Sequence, residues 1–157
     1  MNQNIVYLCR GNSYYQTKVG FDNGDCILVD DDIETVLEAY LKCYGTSISV
    51  SKQKCNEIFN YKRILPIIVS IKHDKYLAVN GKLSDDDIVL YDVDKVIDYK
   101  FQGDSVSLVF RNSILNMKSI KHTFNLQYQR IKEIRQYYDY SNKYTSVFIS
   151  KLEEGKI

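Results

Sequence analysis

The sequence predicts an α+β fold, an antiparallel β-meander sheet with a helix inserted after the first hairpin and helices at the C-terminal end. Three observations predict it. Strand-like runs at 14–21 and 26–29 flank Asp22-Asn23-Gly24-Asp25, and an Asn-Gly pair tolerates the positive φ angles of a two-residue type I′ turn. Asp31-Asp32-Ile33-Glu34 then resembles a capping box, with the first side chain accepting from backbone N–H groups and Glu34 reaching back. From residue 64 onward, turn signals recur about every ten residues, as in an antiparallel sheet.

In chain order, residues 5–9 read as a first strand. After the capping box, Ile33, Val36, Leu37, Tyr40, Leu41 and Tyr44 follow at helical spacing, and Gly45 stands where a left-handed residue closes a helix. That spacing predicts a helix over 32–44. The stretch 46–61 is less periodic, with Cys55, Ile58 and Phe59 on one helical face and Lys52, Lys54 and Lys62 outside it. Strands are expected at 66–72 and 75–79, around a His73-Asp74 turn, then at 88–91 and 96–101. Gln102-Gly103-Asp104 turns the chain into 105–110, and Arg111-Asn112-Ser113 turns it into 114–120. Asn125 would cap a helix carrying Phe124, Tyr128, Ile131, Ile134 and Tyr138 on one side. A last short helix is expected over 144–152, through Tyr144, Val147, Phe148 and Leu152. No repeat or Gly/Pro-rich linker divides the chain, so residues 1–157 read as one domain.

The 157 residues hold 45% hydrophobic and 26% charged side chains, enough for a buried core without a disulfide or metal staple. The four cysteines, Cys9, Cys26, Cys43 and Cys55, lack the short spacing of a zinc site and read as small buried or half-buried thiols in a reducing compartment. The N-terminal run has no basic segment and is too short for an export signal, and the longest apolar run, 64–69, falls far below the ~20 residues of a membrane span. The expectation is a soluble cytoplasmic protein with no membrane partner.

No sequence pattern supplies convincing enzyme chemistry. The runs Asp30-Asp31-Asp32, Asp85-Asp86-Asp87 and Asp92-x-Asp94 lack the glycine and position-12 Glu of a Ca²⁺ loop, and read as helix caps and solvated turns. Asp98-Tyr99-Lys100 has the Asp-x-Lys of metal-dependent nucleases but not the Pro-Asp expected upstream. The glycines are isolated, so no loop cradles a phosphate. No catalytic residue, metal ligand or cofactor is expected.

The formal charge of +1 excludes a uniform polycation, yet the charges are segregated. Residues 22–38 carry seven acids and no base, and 85–104 carry seven Asp and two Lys. Residues 42–75 carry seven bases and two acids, and 111–135 six bases and one acid. A face gathering both basic islands would contact phosphates, with affinity falling steeply in salt. Alternatively, acidic and basic segments pair across neighbouring elements.

The run Leu41-Lys42-Cys43-Tyr44-Gly45-Thr46-Ser47, followed by Lys52, resembles the ComK family, competence transcription factors of Gram-positive bacteria. That family shows a basic residue, two bulky residues and Gly-Ser/Thr-Ser at a helix end, then an Arg-Lys pair. Lys52 matches the second of that pair, and Ser51 stands where the family has Arg. Pro66-Ile67-Ile68-Val69, Val109-Phe110-Arg111-Asn112, and Ser119 with Gln127 and Arg130 match later segments, so the resemblance spans about residues 41–135. The family's tryptophan is missing.

The resemblance implies a DNA-binding transcriptional activator of DNA-uptake genes. Such a protein acts on A·T-rich promoter boxes as a homo-oligomer, largely through the minor groove, under control of a regulatory adaptor protein. Narrow, negative A·T-rich minor grooves attract Lys and Arg. The residues it points to are Lys52 and Lys54, with Lys42, Arg111 and Arg130 as weaker phosphate contacts. The alternative is a non-enzymatic regulatory module without DNA contact, using the Tyr-rich C-terminal helices (Tyr128, Tyr137, Tyr138, Tyr140, Tyr144) as its interface.

Overall fold

The computed structural model describes residues 4–60 and 63–155, so Lys62 lies outside the described residues, as does the side chain of Tyr144. The chain runs β1 (Ile5–Arg10), β2 (Thr17–Phe21), β3 (Cys26–Val29), α1 (Ile33–Lys42), α2 (Ile48–Ile58), β4 (Ile67–Ser70), β5 (Lys75–Val79) and β6 (Val89–Asp92). A 3-10 turn, Val93–Lys95, leads into β7 (Val96–Gln102), β8 (Ser105–Phe110), β9 (Ile114–Lys118) and α3 (Lys121–Glu153). The class is α+β.

The first hairpin forms where Asn23-Gly24 predicts it, by a different turn. Gly24 takes φ +93°, whereas Asn23 is not among the residues of positive φ. A type I′ turn needs both, so the chain uses instead the longer turn closed by Phe21 N–H donating to Asp25 O at 2.9 Å. The helix cap is likewise one residue later than expected. Asp32, not Asp31, accepts from Thr35 N–H at 2.8 Å, and α1 buries Ile33, Leu37 and Leu41. Gly45, at φ +73°, ends the helix as anticipated, with Thr46 N–H donating to Leu41 O at 3.1 Å.

The meander divides into two sheets. β4, β5 and β6 pair in sequence, but β6 then pairs with β1 in the register Tyr7↔Tyr91, Leu8↔Leu90. This gives a six-stranded antiparallel sheet in the order β3-β2-β1-β6-β5-β4, while β7-β8-β9 form a separate three-stranded sheet. The crossing point is Asp92, whose Oδ1 accepts from Asp94 N–H at 3.0 Å.

Both faces of the larger sheet are covered, which is why its central strands are apolar throughout rather than alternating. On β5, Leu77 and Val79 pack with Leu37 and Leu41 of α1, whereas Tyr76 and Ala78 pack with Phe124, Ile131 and Ile134 of α3. The smaller sheet adds Val106, Leu108, Phe110 and Met117 to that second side. Phe124 centres an aromatic group, 4.8 Å from Tyr99, 5.2 Å from Phe101 and 4.9 Å from Tyr128 between ring centroids.

The C-terminal region corrects two expectations. Asn125 is an exposed residue inside α3 rather than its cap, and the N-cap position is Ile120, which makes no side-chain cap bond. The two expected helices are one helix of 33 residues, about 50 Å long at 1.5 Å per residue. Nothing between Asp139 and Lys143 is a Gly or Pro, so nothing breaks the ladder. No helix among the described residues is long and apolar enough to cross a membrane.

Candidate functional site

α2 carries two of the residues the sequence singles out. Ser47 starts it, accepting from Val50 N–H at 3.1 Å, and Glu38 of α1 accepts from Ile48 N–H, so the two helices are joined at the α2 N-terminus. Ile48, Ser51 and Cys55 face inward. Ser51 is buried, and its hydroxyl accepts from Ile68 N–H of β4 at 2.8 Å. Position 51, where the resemblance expects an arginine, therefore points into the protein. Lys52 is exposed and Lys54 half-buried. Two residues apart on a helix, they project about 200° from each other, so they flank the buried stripe on opposite sides. Lys42 is exposed at the last turn of α1.

The other two candidates lie elsewhere. Arg111 is exposed on the β8–β9 turn, where its neighbour Asn112 donates to Asp22 O at 2.7 Å beyond β2. β2 and β3 are at one edge of the six-stranded sheet, while α2 packs on β4 at the other. The fold thus separates Arg111 from Lys52. Arg130 corrects the reading of a surface base. It is 2% exposed, and one guanidinium nitrogen donates to Arg63 O at 2.7 Å and Ile64 O at 2.8 Å. The guanidinium also lies over Phe59, 5.7 Å from the ring centre. Gln127, aligned with it by the resemblance, donates to Ile64 O as well and accepts from Val79 N–H at 3.1 Å.

Part of the charge segregation is resolved by pairing. Arg135 binds the carboxylates of Asp74 and Asp94 and stacks over Tyr76 at 5.1 Å. Lys95 lies 3.9 Å from Asp22. Of the acidic runs, Asp32 caps α1, and Asp85 accepts from Lys82 N–H at 2.8 Å.

A groove of about 1,210 Å³ is present that no sequence pattern announces. Tyr40 of α1 and Tyr44, two residues past its end, form one wall, the β4–β5 turn supplies His73, Lys75 opens β5, and Asp92 lies at the end of β6. The Lys75 ammonium sits 5.7 and 5.8 Å from the Tyr40 and Tyr44 ring centres, a cation–π arrangement. Asp92, read from sequence as part of a solvated turn, is only 3% exposed. Burial pushes its carboxyl up to about 6, with the Asp94 charge adding to the rise and Lys75 and Lys95 opposing it. The four cysteines are all free thiols. Cys55 is buried and Cys9 half-buried, but Cys26 and Cys43 are exposed, contrary to the sequence reading.

No family model, curated protein or solved structure matches the chain.

Proposed function

We propose that this chain is a DNA-binding transcriptional activator of the ComK type, acting on A·T-rich promoter boxes of DNA-uptake genes. The observation that supports the reading best is the orientation of Ser51. The one departure from the family's basic pair falls on a buried residue that fastens β4, while Lys52 beside it and Lys42 before it face solvent. The replacement of Arg by Ser therefore takes no cation from the outer surface of α2. Lys42 and Lys52 lead the contact, and the exposed, separately placed Arg111 touches a different stretch of backbone if it takes part.

The test is a gel-shift titration of the full chain against an A·T-rich and a G·C-rich duplex, between about 50 and 200 mM salt. The expected result is a preferential shift of the A·T-rich duplex that weakens steeply with salt. Absence of a shift at low salt, or equal binding to both duplexes, overturns the reading. The second reading, a regulatory module without DNA contact, is favoured by the burial of Arg130 and the engagement of Arg135 by Asp74 and Asp94. It is the conclusion to draw if neither duplex shifts.

A further inference from the structure

Asp92 is buried with only one of its carboxylate oxygens in use. Oδ1 accepts from Asp94 N–H at 3.0 Å, and the other oxygen has no hydrogen-bond partner among the described residues. Nor is any salt bridge to Asp92 present among them. Buried carboxylates are ordinarily paired with a cation or fully hydrogen-bonded. A second polar group at the same place is also unsatisfied. The Tyr40 hydroxyl is buried with no hydrogen-bond partner among the described residues, although the Tyr44 ring stands edge-on to its own, 5.5 Å between centres. Burial pushes this phenol up, with Tyr44 and Asp92 adding to the rise, so it keeps its proton and can donate.

The sheet register brings a third group to the same side. Asp92 pairs with Leu77 across β6 and β5, and Leu77 packs toward α1. Asp92 and Lys75, which precedes Leu77 by two residues, therefore face α1 as well. There the Lys75 ammonium lies over the Tyr40 and Tyr44 rings. A carboxylate, a hydroxyl donor and an ammonium thus meet at one groove. Lys72 and Lys95 line it too, which disfavours a bare cation or a polyamine, while the charge of Asp92 disfavours a bare anion. The complement of this set is a molecule with both charges on one carbon, its ammonium donating to Asp92 and its carboxylate accepting from Lys75 and Tyr40. Ile5 and Phe21 add apolar wall beside them.

We propose that this groove binds an α-amino acid with an apolar side chain, its ammonium on Asp92, its carboxylate on Lys75 and Tyr40, and its side chain against Ile5 and Phe21. Such binding is independent of whether the chain contacts DNA. Isothermal titration calorimetry of the full chain with L-phenylalanine and L-leucine tests it, at about pH 7.5, where Asp92 is ionised. Saturable binding is expected, with a Kd on the order of 0.1–1 mM. Phenethylamine, which lacks the carboxylate, and hydrocinnamate, which lacks the ammonium, should each bind at least about tenfold more weakly than L-phenylalanine. Asp92→Asn should lower affinity for both amino acids at least about tenfold without lowering Tm. Tyr40→Phe, which removes only the orphan hydroxyl, should lower it about threefold or more with Tm unchanged or raised. No saturable heat from either amino acid up to about 10 mM overturns the proposal, as does undiminished binding by both variants. Phenethylamine binding as tightly as L-phenylalanine overturns the amino-acid assignment in favour of a simple amine, and hydrocinnamate doing so overturns it in favour of an anion.

Discussion

Ser51 Oγ lies 2.8 Å from the amide nitrogen of Ile68 and accepts its hydrogen, tying the middle of α2 to the second residue of β4. The hydroxyl is buried and so is the amide it serves. Ser51→Ala leaves that N–H without its acceptor and should cost about 1–3 kcal/mol, a fall of several degrees in Tm at this chain length. Ser51→Arg, which recreates the family's basic pair, should cost more, because a guanidinium would be forced into a filled, desolvated position. Urea denaturation ranks the two. A stable Ser51→Arg protein with tighter DNA binding would show that residue 51 faces outward.

Arg130 and Gln127 both donate to the carbonyl of Ile64, a β-branched residue held at φ +48°. Such a backbone conformation costs about 1–3 kcal/mol and persists only where surrounding groups fix it. Arg130→Met keeps the apolar stem and removes the donors to Arg63 and Ile64, so a loss of about 3 kcal/mol is expected. Arg130→Lys should recover only part of it, since an ammonium lacks the planar fork. Chemical denaturation decides between this role and the phosphate contact. A stable Arg130→Met variant with weakened DNA binding would return the residue to the surface.

Local signals were the ones the sequence displayed well. α1 is legible because its cap, apolar spacing and closing glycine lie within 14 residues of one another, from Asp32 to Gly45. α2 is obscure because its buried stripe contains a polar residue, Ser51, whose partner Ile68 lies 17 positions away. The division into two sheets depends on β6 pairing with β1, across more than eighty residues, for which no local pattern exists. Charge misleads in the same way. Arg130 and Asp92 read as surface groups because their type is usually exposed, and only the folded chain shows the carbonyls and the groove wall that bury them. The groove around Tyr40, Tyr44 and Asp92 combines a helix, a hairpin turn and a strand end, so no single motif carries it.

Lys52 offers the sharpest separation of binding from folding. It is exposed, and no ion pair involving it is present among the described residues. Lys52→Glu should therefore change unfolding free energy by no more than about 0.5 kcal/mol. If Lys52 touches a phosphate, the same change should lower affinity for an A·T-rich duplex about tenfold or more and reduce the salt slope by about one. Melting curves and salt-dependent titrations read the two effects separately. Unchanged affinity removes Lys52 from the contact surface.

Asp92 should leave a signature in the pH dependence of stability. Its folded carboxyl titrates at about 6, against about 4 for an unfolded aspartate. The folded state thus holds the proton more tightly, and protonation favours folding. The contribution is fully favourable below pH ~4, fades as pH rises toward 6, and above that leaves a charged carboxylate in a buried site at a cost on the order of 2 kcal/mol. Asp32 acts in the opposite sense, because the Thr35 amide holds its carboxyl below the usual range and that stabilisation is lost in acid. Comparing wild type with Asp92→Asn cancels the Asp32 effect. The asparagine oxygen can still accept from Asp94 N–H, so the variant should be more stable than wild type at pH 8 and lose that advantage progressively between pH 6 and 4. Urea midpoints measured across this range test it. A stability difference that does not vary between pH 4 and 8 would show that Asp92 titrates as an ordinary solvated carboxylate.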